Sequence, residues 1–280
     1  MITPFPCALL LAATGVMYGL CFWTPFTMLD GHADFFARSP SPQESLFGNF
    51  MAILQFTACL MMFLLAFNAR SDPEQGARLV LFGMFSLLGT NGRFGHASQV
   101  SHGGVLLDSE HFKSLMINFA LVAMCAAALR STNGKLSLLT KQGGILPRNR
   151  TDFAVFVHVA CFIFWKFDST TFELARAVST PNYVPTPFFW ELAGWIVNAV
   201  DYHLFLALYV YWYGQETDKE IFLRGSGLIH VIFELFNHSS LAAVLPAAVV
   251  QESTVLHVAL VAVIVFAFSA GPKKTEYKTQ

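Results

Sequence analysis

The sequence predicts an all-α, polytopic membrane protein, a bundle of about eight transmembrane helices arranged as two parallel four-helix repeats. Of its 280 residues, 55% are hydrophobic and only 12% are charged, whereas soluble domains carry about 25% charged residues. Apolar segments alternate with short polar stretches along the whole chain. The net charge of −1 indicates no basic surface, so we expect no nucleic acid partner.

Eight apolar segments can be drawn, and each predicts one helix. They cover approximately residues 5–26, 47–67, 79–90, 113–130, 152–167, 188–213, 225–245 and 255–270. A membrane-spanning helix needs about 20 residues, so the third and eighth segments are short. The third either extends into Asn91–Ser98 or forms a re-entrant piece. The first has no basic region before it, so we expect a retained span rather than a signal peptide.

The placement of lysine and arginine predicts the orientation. With eight spans, both termini lie on the side of the 68–78, 130–151 and 214–224 connections, and that side holds 12 of the 17 basic residues. Cytoplasmic loops are enriched in these residues. We therefore expect both termini in the cytoplasm, and the glycosylation sequon at Asn149 unmodified. The sequence does not indicate which membrane.

An internal repeat defines the domains. Each half has a span, a long polar loop, a span, a short charged turn and two further spans, and His96 in one half matches His238 in the other, 142 positions later. Units with an even number of spans repeat in parallel. The predicted divisions are an N-terminal repeat (1–130), a basic cytoplasmic linker (131–151), a C-terminal repeat (152–270) and a basic tail (271–280).

Ionisable residues concentrate in the C-terminal half. In the seventh segment, His230, Glu234 and His238 recur every four residues and share one helix face. An ionisable group in a hydrocarbon core costs roughly 2.5–3.5 kcal/mol on the mildest scale, so such residues have partners, water or a function. The first half carries Leu88 and Gly92 at the positions that match His230 and Glu234. It therefore reads as a scaffold.

Further polar residues accompany this face. They are Glu191, Trp195, Asn198, Asp201 and His203 in the sixth segment, His158 in the fifth and His257 in the eighth. One interpretation is a set of helix–helix hydrogen bonds. The other is a polar cavity between the last four spans that binds a cationic or hydroxylated amphiphile, with histidines able to exchange protons.

Cofactor binding is an alternative for the histidines. Haem or chlorophyll needs an axial imidazole in an apolar slot, and His158, His238 and His257 are the candidates. One metal ion on His230, Glu234 and His238 would require strain, so we expect no metal site. Outside the haem or chlorophyll alternative, we also expect no cofactor. The five cysteines all lie in apolar segments, without zinc spacing or a disulfide framework.

Three stretches of the second half, HVACFIFWKFDSTTFELARAV, VPTPFFWELAGWIVNAVDY and GLIHVIFELFNHSS, resemble the EXPERA-domain family, which includes emopamil-binding protein and the sigma-2 receptor. The resemblance covers mainly residues 152–270. It implies a four-helix unit in which Asp168 and Glu191 meet a cationic or sterol-like ligand between tryptophan walls. In the isomerase members, a histidine and carboxylates move a double bond by adding and removing protons.

We therefore expect a membrane protein that binds a hydrophobic ligand, either sterol-like or a cationic amphiphile, in its C-terminal half. The expected ligand-binding residues are Asp168, Glu191, Trp195, Asn198, Asp201 and His203. If the protein is an enzyme, His230 and Glu234 form the acid/base pair. The alternatives are a structural or haem- or pigment-binding subunit of a larger membrane complex, and a proton-coupled transporter that uses Asp201 and Glu234. The expected partners are the lipid bilayer, a hydrophobic small molecule and other membrane subunits.

Overall fold

The computed structural model describes residues 3–27, 42–100, 108–132, 145–171, 187–239, 242 and 247–269. These residues form eight α-helices and no β-strand. The helices are α1 (Pro4–Thr27), α2 (Pro42–Asn68), α3 (Pro73–Val100), α4 (Asp108–Arg130), α5 (Arg150–Thr171), α6 (Pro187–Tyr213), α7 (Glu216–Ser239) and α8 (Ala247–Phe268). The prediction of an all-α fold is confirmed, and the third apolar segment belongs to one continuous helix of 28 residues.

One helix in the described ranges is long and apolar enough to cross a membrane. It is Val250–Phe268, with 19 residues and a mean hydropathy of 1.9, and 28% of it is buried. Three other described helices contain shorter apolar stretches, namely Pro4–Met17, Ala52–Asn68 and Leu115–Arg130. The structure therefore shows a helical bundle with one candidate span within the described residues.

Side chains that cap backbone groups fix where α3 and α5 begin. The Asp72 carboxylate accepts hydrogen bonds from the backbone N–H groups of Glu74 and Gln75, at 3.0 and 3.1 Å. The Asn149 side-chain oxygen accepts one from the N–H of Asp152 at 2.7 Å. The first N–H groups of a helix have no intrahelical partner, so these acceptors stabilise both helix starts.

The α2–α3 turn and the α6–α7 turn meet at one end of the bundle, which we call the linker end. The Asn68 side-chain amide donates to the Asp218 carboxylate at 2.6 Å. The Gln75 amide donates to the backbone carbonyl of Tyr213, also at 2.6 Å. These two hydrogen bonds join the two halves of the chain and set the height at which α3 and α7 begin.

The remaining helices also have one terminus at the linker end. Ring contacts place the start of α1 beside the end of α2, and the start of α5 beside the end of α8, with centroid distances of 5.7 and 6.5 Å. The sulfur atoms of Cys7 and Cys125 lie 3.9 Å apart and bring the end of α4 to the start of α1. The odd-numbered helices therefore run away from the linker end and the even-numbered helices return to it.

The helix contacts of the two halves correspond to each other. In the first half α1 packs on α2, α3 and α4, and α3 packs on α4; in the second α5 packs on α6, α7 and α8, and α7 packs on α8. Between the halves, α2 packs on α7, α3 on α6, and α2 on α6. Exchanging the halves leaves this set of contacts unchanged. The described helices therefore form a repeat-like bundle, in which each half makes the same set of helix contacts.

A buried ion pair fastens α5 to α7 at the linker end. The ammonium of Lys219 lies 2.6 Å from the Asp152 carboxylate, and the two side chains are 9% and 7% exposed. Glu216, 2.9 Å away, is a second partner. Burial alone lowers the pKa of Lys219, but the hydrogen bonds and charges of Asp152 and Glu216 outweigh it and raise that pKa above its usual value.

Removing the lysine should destabilise the bundle strongly. Lys219→Met leaves the Asp152 carboxylate buried without its cation, and breaking a buried pair in this way costs about 3–5 kcal/mol. We expect a clearly lower unfolding temperature in detergent, partly restored by adding Asp152→Asn. The matched control is Arg224→Met, which breaks the exposed pair with Glu220, and exposed pairs are worth about 0–1 kcal/mol. Equal losses of unfolding temperature in Lys219→Met and Arg224→Met would contradict a stabilising role for the buried pair.

The same pair predicts a dependence on alkaline pH. The pKa of Lys219 is higher in the folded state than its unfolded value near ~10.4, so the stabilisation is complete below the unfolded pKa. It is lost as the pH rises through the folded pKa. Unfolding temperatures measured from pH 8 to 12 should therefore fall more steeply for the wild type than for the Lys219→Met, Asp152→Asn double variant. Parallel curves would remove Lys219 as the cause.

Candidate functional site

Three histidines from three helices form a continuous chain of contacts, which we call the imidazole file. Nε2 of His230 on α7 lies 3.3 Å from Nε2 of His158 on α5. Nδ1 of the same ring lies 2.9 Å from Nδ1 of His257 on α8. All three residues are buried, with exposures of 0 to 5%. His230 therefore uses both of its ring nitrogens to join its two neighbours.

The inner end of the imidazole file is fixed by the backbone of α5. Nδ1 of His158 lies 2.7 Å from the carbonyl oxygen of Ala154, one helical turn earlier. A carbonyl oxygen only accepts hydrogen bonds, so Nδ1 of His158 carries a proton and, in the neutral ring, Nε2 is an acceptor. The edge of the ring contacts Phe222, at a centroid distance of 5.9 Å. These contacts hold both the position and the tautomer of His158.

The outer end of the imidazole file opens on a groove between α7 and α8, which we call the α7–α8 groove. Its volume is about 580 Å³, within the roughly 300–1,000 Å³ of small-molecule sites. Its lining consists of His230, Val231, Glu234, Leu235, His238, His257, Val258 and Val261. The walls are apolar and the polar groups are imidazoles and one carboxylate. This composition suits an apolar molecule with one polar group.

The predicted helix face of α7 lines this groove along its length. His230 is its buried end, Glu234 is 20% exposed in its side chain, and His238 is 61% exposed. A Glu234 carboxylate oxygen lies 3.4 Å from Nε2 of His238, and the same nitrogen lies 3.3 Å from the hydroxyl of Thr254. Glu234 also interacts electrostatically with His257. The groove therefore becomes more polar and more accessible away from the imidazole file.

A second, much smaller space lies behind the imidazole file, and we call it the inner cavity. Its volume is about 10 Å³, close to the minimum that holds one water molecule. Its lining includes His203, Ser226, His230 and His257. The buried hydroxyl of Ser226 has no hydrogen-bond partner among the described side chains. A water molecule here would satisfy it.

His203 faces α2 and the inner cavity. Its Nδ1 lies 3.0 Å from the Ala199 carbonyl, and its Nε2 lies 3.4 Å from the hydroxyl of Thr57. The Phe162 ring stacks beside it at 5.5 Å. His203 thus lies next to His230 across the inner cavity but belongs to a separate hydrogen-bonding set.

Asp201 lies apart from the groove. Its carboxylate is 2.6 Å from the ammonium of Lys166 on α5, with side-chain exposures of 3% and 31%. The other carboxylate oxygen is 3.7 Å from where a side chain on Gly89 of α3 would begin. The sequence analysis grouped Asp201 with His203, His230 and Glu234. Of these, the structure brings His203 and His230 to the inner cavity and Glu234 to the α7–α8 groove, whereas Asp201 joins α5 and α6.

Several predicted site residues lie outside the described side chains. These are Asp168, Glu191, Trp195 and Asn198, so their roles as ligand-binding residues stay predictions. In contrast, the structure adds three features that spacing within single helices did not indicate: the meeting of the three histidines, the Lys166–Asp201 pair and the carbonyl of Ala154. For the Lys166–Asp201 pair, the sequence offered one signal, the isolated Lys166 late in the fifth apolar segment.

The cofactor alternative can be set against the same geometry. Axial ligation needs a ring nitrogen that is not already engaged, yet Nδ1 of His158 faces the Ala154 carbonyl and its Nε2 faces His230. A haem on His158 would have to break the imidazole file. Among the described residues, no group of three or more His, Cys, Asp or Glu side chains has the arrangement of a metal site.

Comparison of the chain with known protein families, with curated proteins and with solved structures found no match. No relative therefore contributes a substrate, a cofactor or a catalytic residue.

Proposed function

We propose that this chain is a polytopic membrane protein whose α7–α8 groove binds a hydrophobic, sterol-like small molecule through one polar group. The observation that carries the proposal is the groove of about 580 Å³ with apolar walls and the His230–His257 pair at its base. Two further features support it, namely the character of the outer surface and the position of the groove along the helices.

The outer surface is apolar where that of a soluble protein is charged. Large side chains that face outward include Phe63, Phe112, Phe119, Phe164, Leu235, Val255 and Val265, exposed by 40 to 70%. Several charged residues are buried, and Asp152, Asp201 and Lys219 are each exposed by less than a tenth. Apolar side chains are exposed on α2, α4, α5, α7 and α8 alike, whereas soluble monomers rarely expose large contiguous apolar patches. A surrounding hydrocarbon solvent accounts for this exposure.

The groove lies towards the end of the bundle opposite the linker end. His230 is 14 residues after the start of α7 at Glu216, about 21 Å at ~1.5 Å per residue. If the linker end is cytoplasmic, as the basic residues predict, the groove opens to the outer half of the bilayer. A hydrophobic ligand would then enter sideways from lipid, with its polar group towards His257 and Glu234.

Proton-coupled transport is the second candidate, and the imidazole file is the observation that favours it. Hydrogen-bonded imidazoles can pass protons near neutral pH, and His203 lies beside them at the inner cavity. The predicted partner Asp201 is held by Lys166, so the transport hypothesis moves from Asp201 to the histidines. Transport would be favoured over simple binding if a pH gradient drives uptake of the hydrophobic ligand into liposomes and this effect is lost in His230→Phe.

The orientation can be tested by glycosylation in microsomes. The natural sequon at Asn149 should stay unmodified, because the 130–151 connection is predicted to be cytoplasmic. Gln99→Asn creates an Asn-Val-Ser sequon at the end of α3, beside the connection to α4, which is predicted to lie on the other side. We expect one added glycan for Gln99→Asn and none for the wild type. A glycan on Asn149 would reverse the orientation.

The groove can be tested by filling it. Val258→Trp places a large side chain in the lining, at a residue that is 58% exposed. In reconstituted liposomes, labelling by a diazirine-bearing 3β-hydroxysterol should fall about tenfold, a change of ~1.4 kcal/mol in binding. The matched control is Val255→Trp, one turn away on α8 and 70% exposed but outside the lining.

Mass spectrometry should place the label on α7 or α8 in the wild type. Labelling that Val258→Trp and Val255→Trp reduce equally, or that lies on other helices, would count against this groove as the binding site. An absence of any labelling above that of a sterol-independent membrane protein would count against a sterol-like ligand.

A further inference from the structure

We propose that the backbone carbonyl of Ala154, acting through the imidazole file, makes Nε2 of His257 a hydrogen-bond acceptor. The groove then selects ligands whose polar group is a hydrogen-bond donor. The inference rests on the proposed function, because it specifies the chemistry of a ligand in the α7–α8 groove. It names His257, rather than His230, as the residue that meets the ligand.

The position of each proton along the imidazole file follows from its neighbour. His158 carries its proton on Nδ1, because that nitrogen faces the Ala154 carbonyl at 2.7 Å, and its Nε2 is therefore an acceptor. The Nε2 of His230, 3.3 Å away, has to be the donor, since two lone pairs in contact repel each other. A neutral imidazole carries one N–H, so Nδ1 of His230 is an acceptor.

The last step reaches the groove. Nδ1 of His257 lies 2.9 Å from the accepting Nδ1 of His230, so it donates, and Nε2 of His257 is left with a lone pair. Five of the six ring nitrogens in the file are thus engaged with Ala154 or with one another. Nε2 of His257 is the sixth, and no described residue hydrogen-bonds to it. Each ring has a single permitted tautomer as long as all three are neutral.

The charged groups around the file agree with a donor ligand. Glu234, which also lines the groove and interacts with His257, is a second acceptor. From α6, His203 faces the file across the inner cavity, with Nδ1 committed to the Ala199 carbonyl. From α7, His238 pairs with Glu234 at the open end. A hydroxyl or a protonated amine can satisfy these acceptors, whereas a ketone or an ester presents only further lone pairs.

The file also predicts what happens when its inner end is removed. In His158→Phe the Nε2–H of His230 would be a buried donor facing a ring, which is unfavourable. Moving that proton to Nδ1 of His230 makes Nδ1 of His257 an acceptor, and His257 then carries its proton on Nε2. A substitution two side chains from the groove would thereby convert the groove acceptor into a donor.

Solid-state NMR of ring-¹⁵N-labelled histidine in the full chain, in lipid bilayers at pH 8, tests the tautomers. Protonated and unprotonated ring nitrogens have well-separated shifts, and single substitutions assign the nine histidines. We expect Nδ1–H for His158, Nε2–H for His230 and Nδ1–H for His257. In His158→Phe, His257 should change to Nε2–H, whereas the control His238→Gln should leave all three unchanged.

Ligand preference supplies the second readout. The probes are a diazirine-bearing 3β-hydroxysterol and its 3-keto counterpart, compared on the same protein. The wild type should be labelled about tenfold better by the hydroxysterol, and the ratio should fall to one or below in His158→Phe. Val255→Trp should keep the wild-type ratio.

The outcomes separate the two proposals. A wild-type His257 with Nε2–H, or a His257 unaffected by His158→Phe, would overturn the inference whatever the sterols do, and the wild-type spectrum decides even if the variant does not fold. Labelling by both sterols with equal efficiency would also overturn it. If neither sterol labels the protein, the proposed function fails. The NMR result still shows which ring nitrogens of the imidazole file carry protons.

Discussion

The structure depends on one constraint: polar groups that are buried in this apolar bundle must find their partners inside it. An unpaired buried polar group costs a few kcal/mol and an unpaired charge more. For several buried charges and imidazoles the bundle meets this constraint locally, with Lys219 and Asp152 joining α5 to α7, Lys166 and Asp201 joining α5 to α6, and His230 joining α5 to α8. The polar residues thereby decide which helix faces meet, although apolar packing supplies most of the contact.

The constraint also explains why two halves with corresponding helix contacts differ in chemistry. The positions that match His158, His230 and His257 in the first half are Val16, Leu88 and Leu115, which need no partners. The first half can therefore pack through small and apolar residues, such as Cys7 against Cys125, while the second has to satisfy three imidazoles at once. A polar base for a groove can only arise where such groups are present, so the site lies in the second half.

Patterns within one helix were predictable from the sequence, whereas meetings between helices were not. Hydropathy located all eight helices, and the four-residue spacing put His230, Glu234 and His238 on the face that lines the groove. Which neighbour each face meets depends on the rotation of every helix about its axis, and no spacing in a single segment encodes it. Asp201 illustrates the difference, because its stripe on α6 was visible but its partner Lys166 lies 35 residues away on α5.

Burial of the imidazole file restricts the tautomers of its histidines, including His257 in the groove. In water, an imidazole changes tautomer freely, because solvent satisfies either nitrogen. In this bundle the inner end of the file is shielded from solvent, since His158 is fully buried and the inner cavity measures only about 10 Å³. One backbone carbonyl can therefore determine the tautomers of three successive rings. Each alternative would leave a buried donor without an acceptor or place two lone pairs in contact. In the proposed arrangement of protons, this shielding from solvent would keep Nε2 of His257 a hydrogen-bond acceptor.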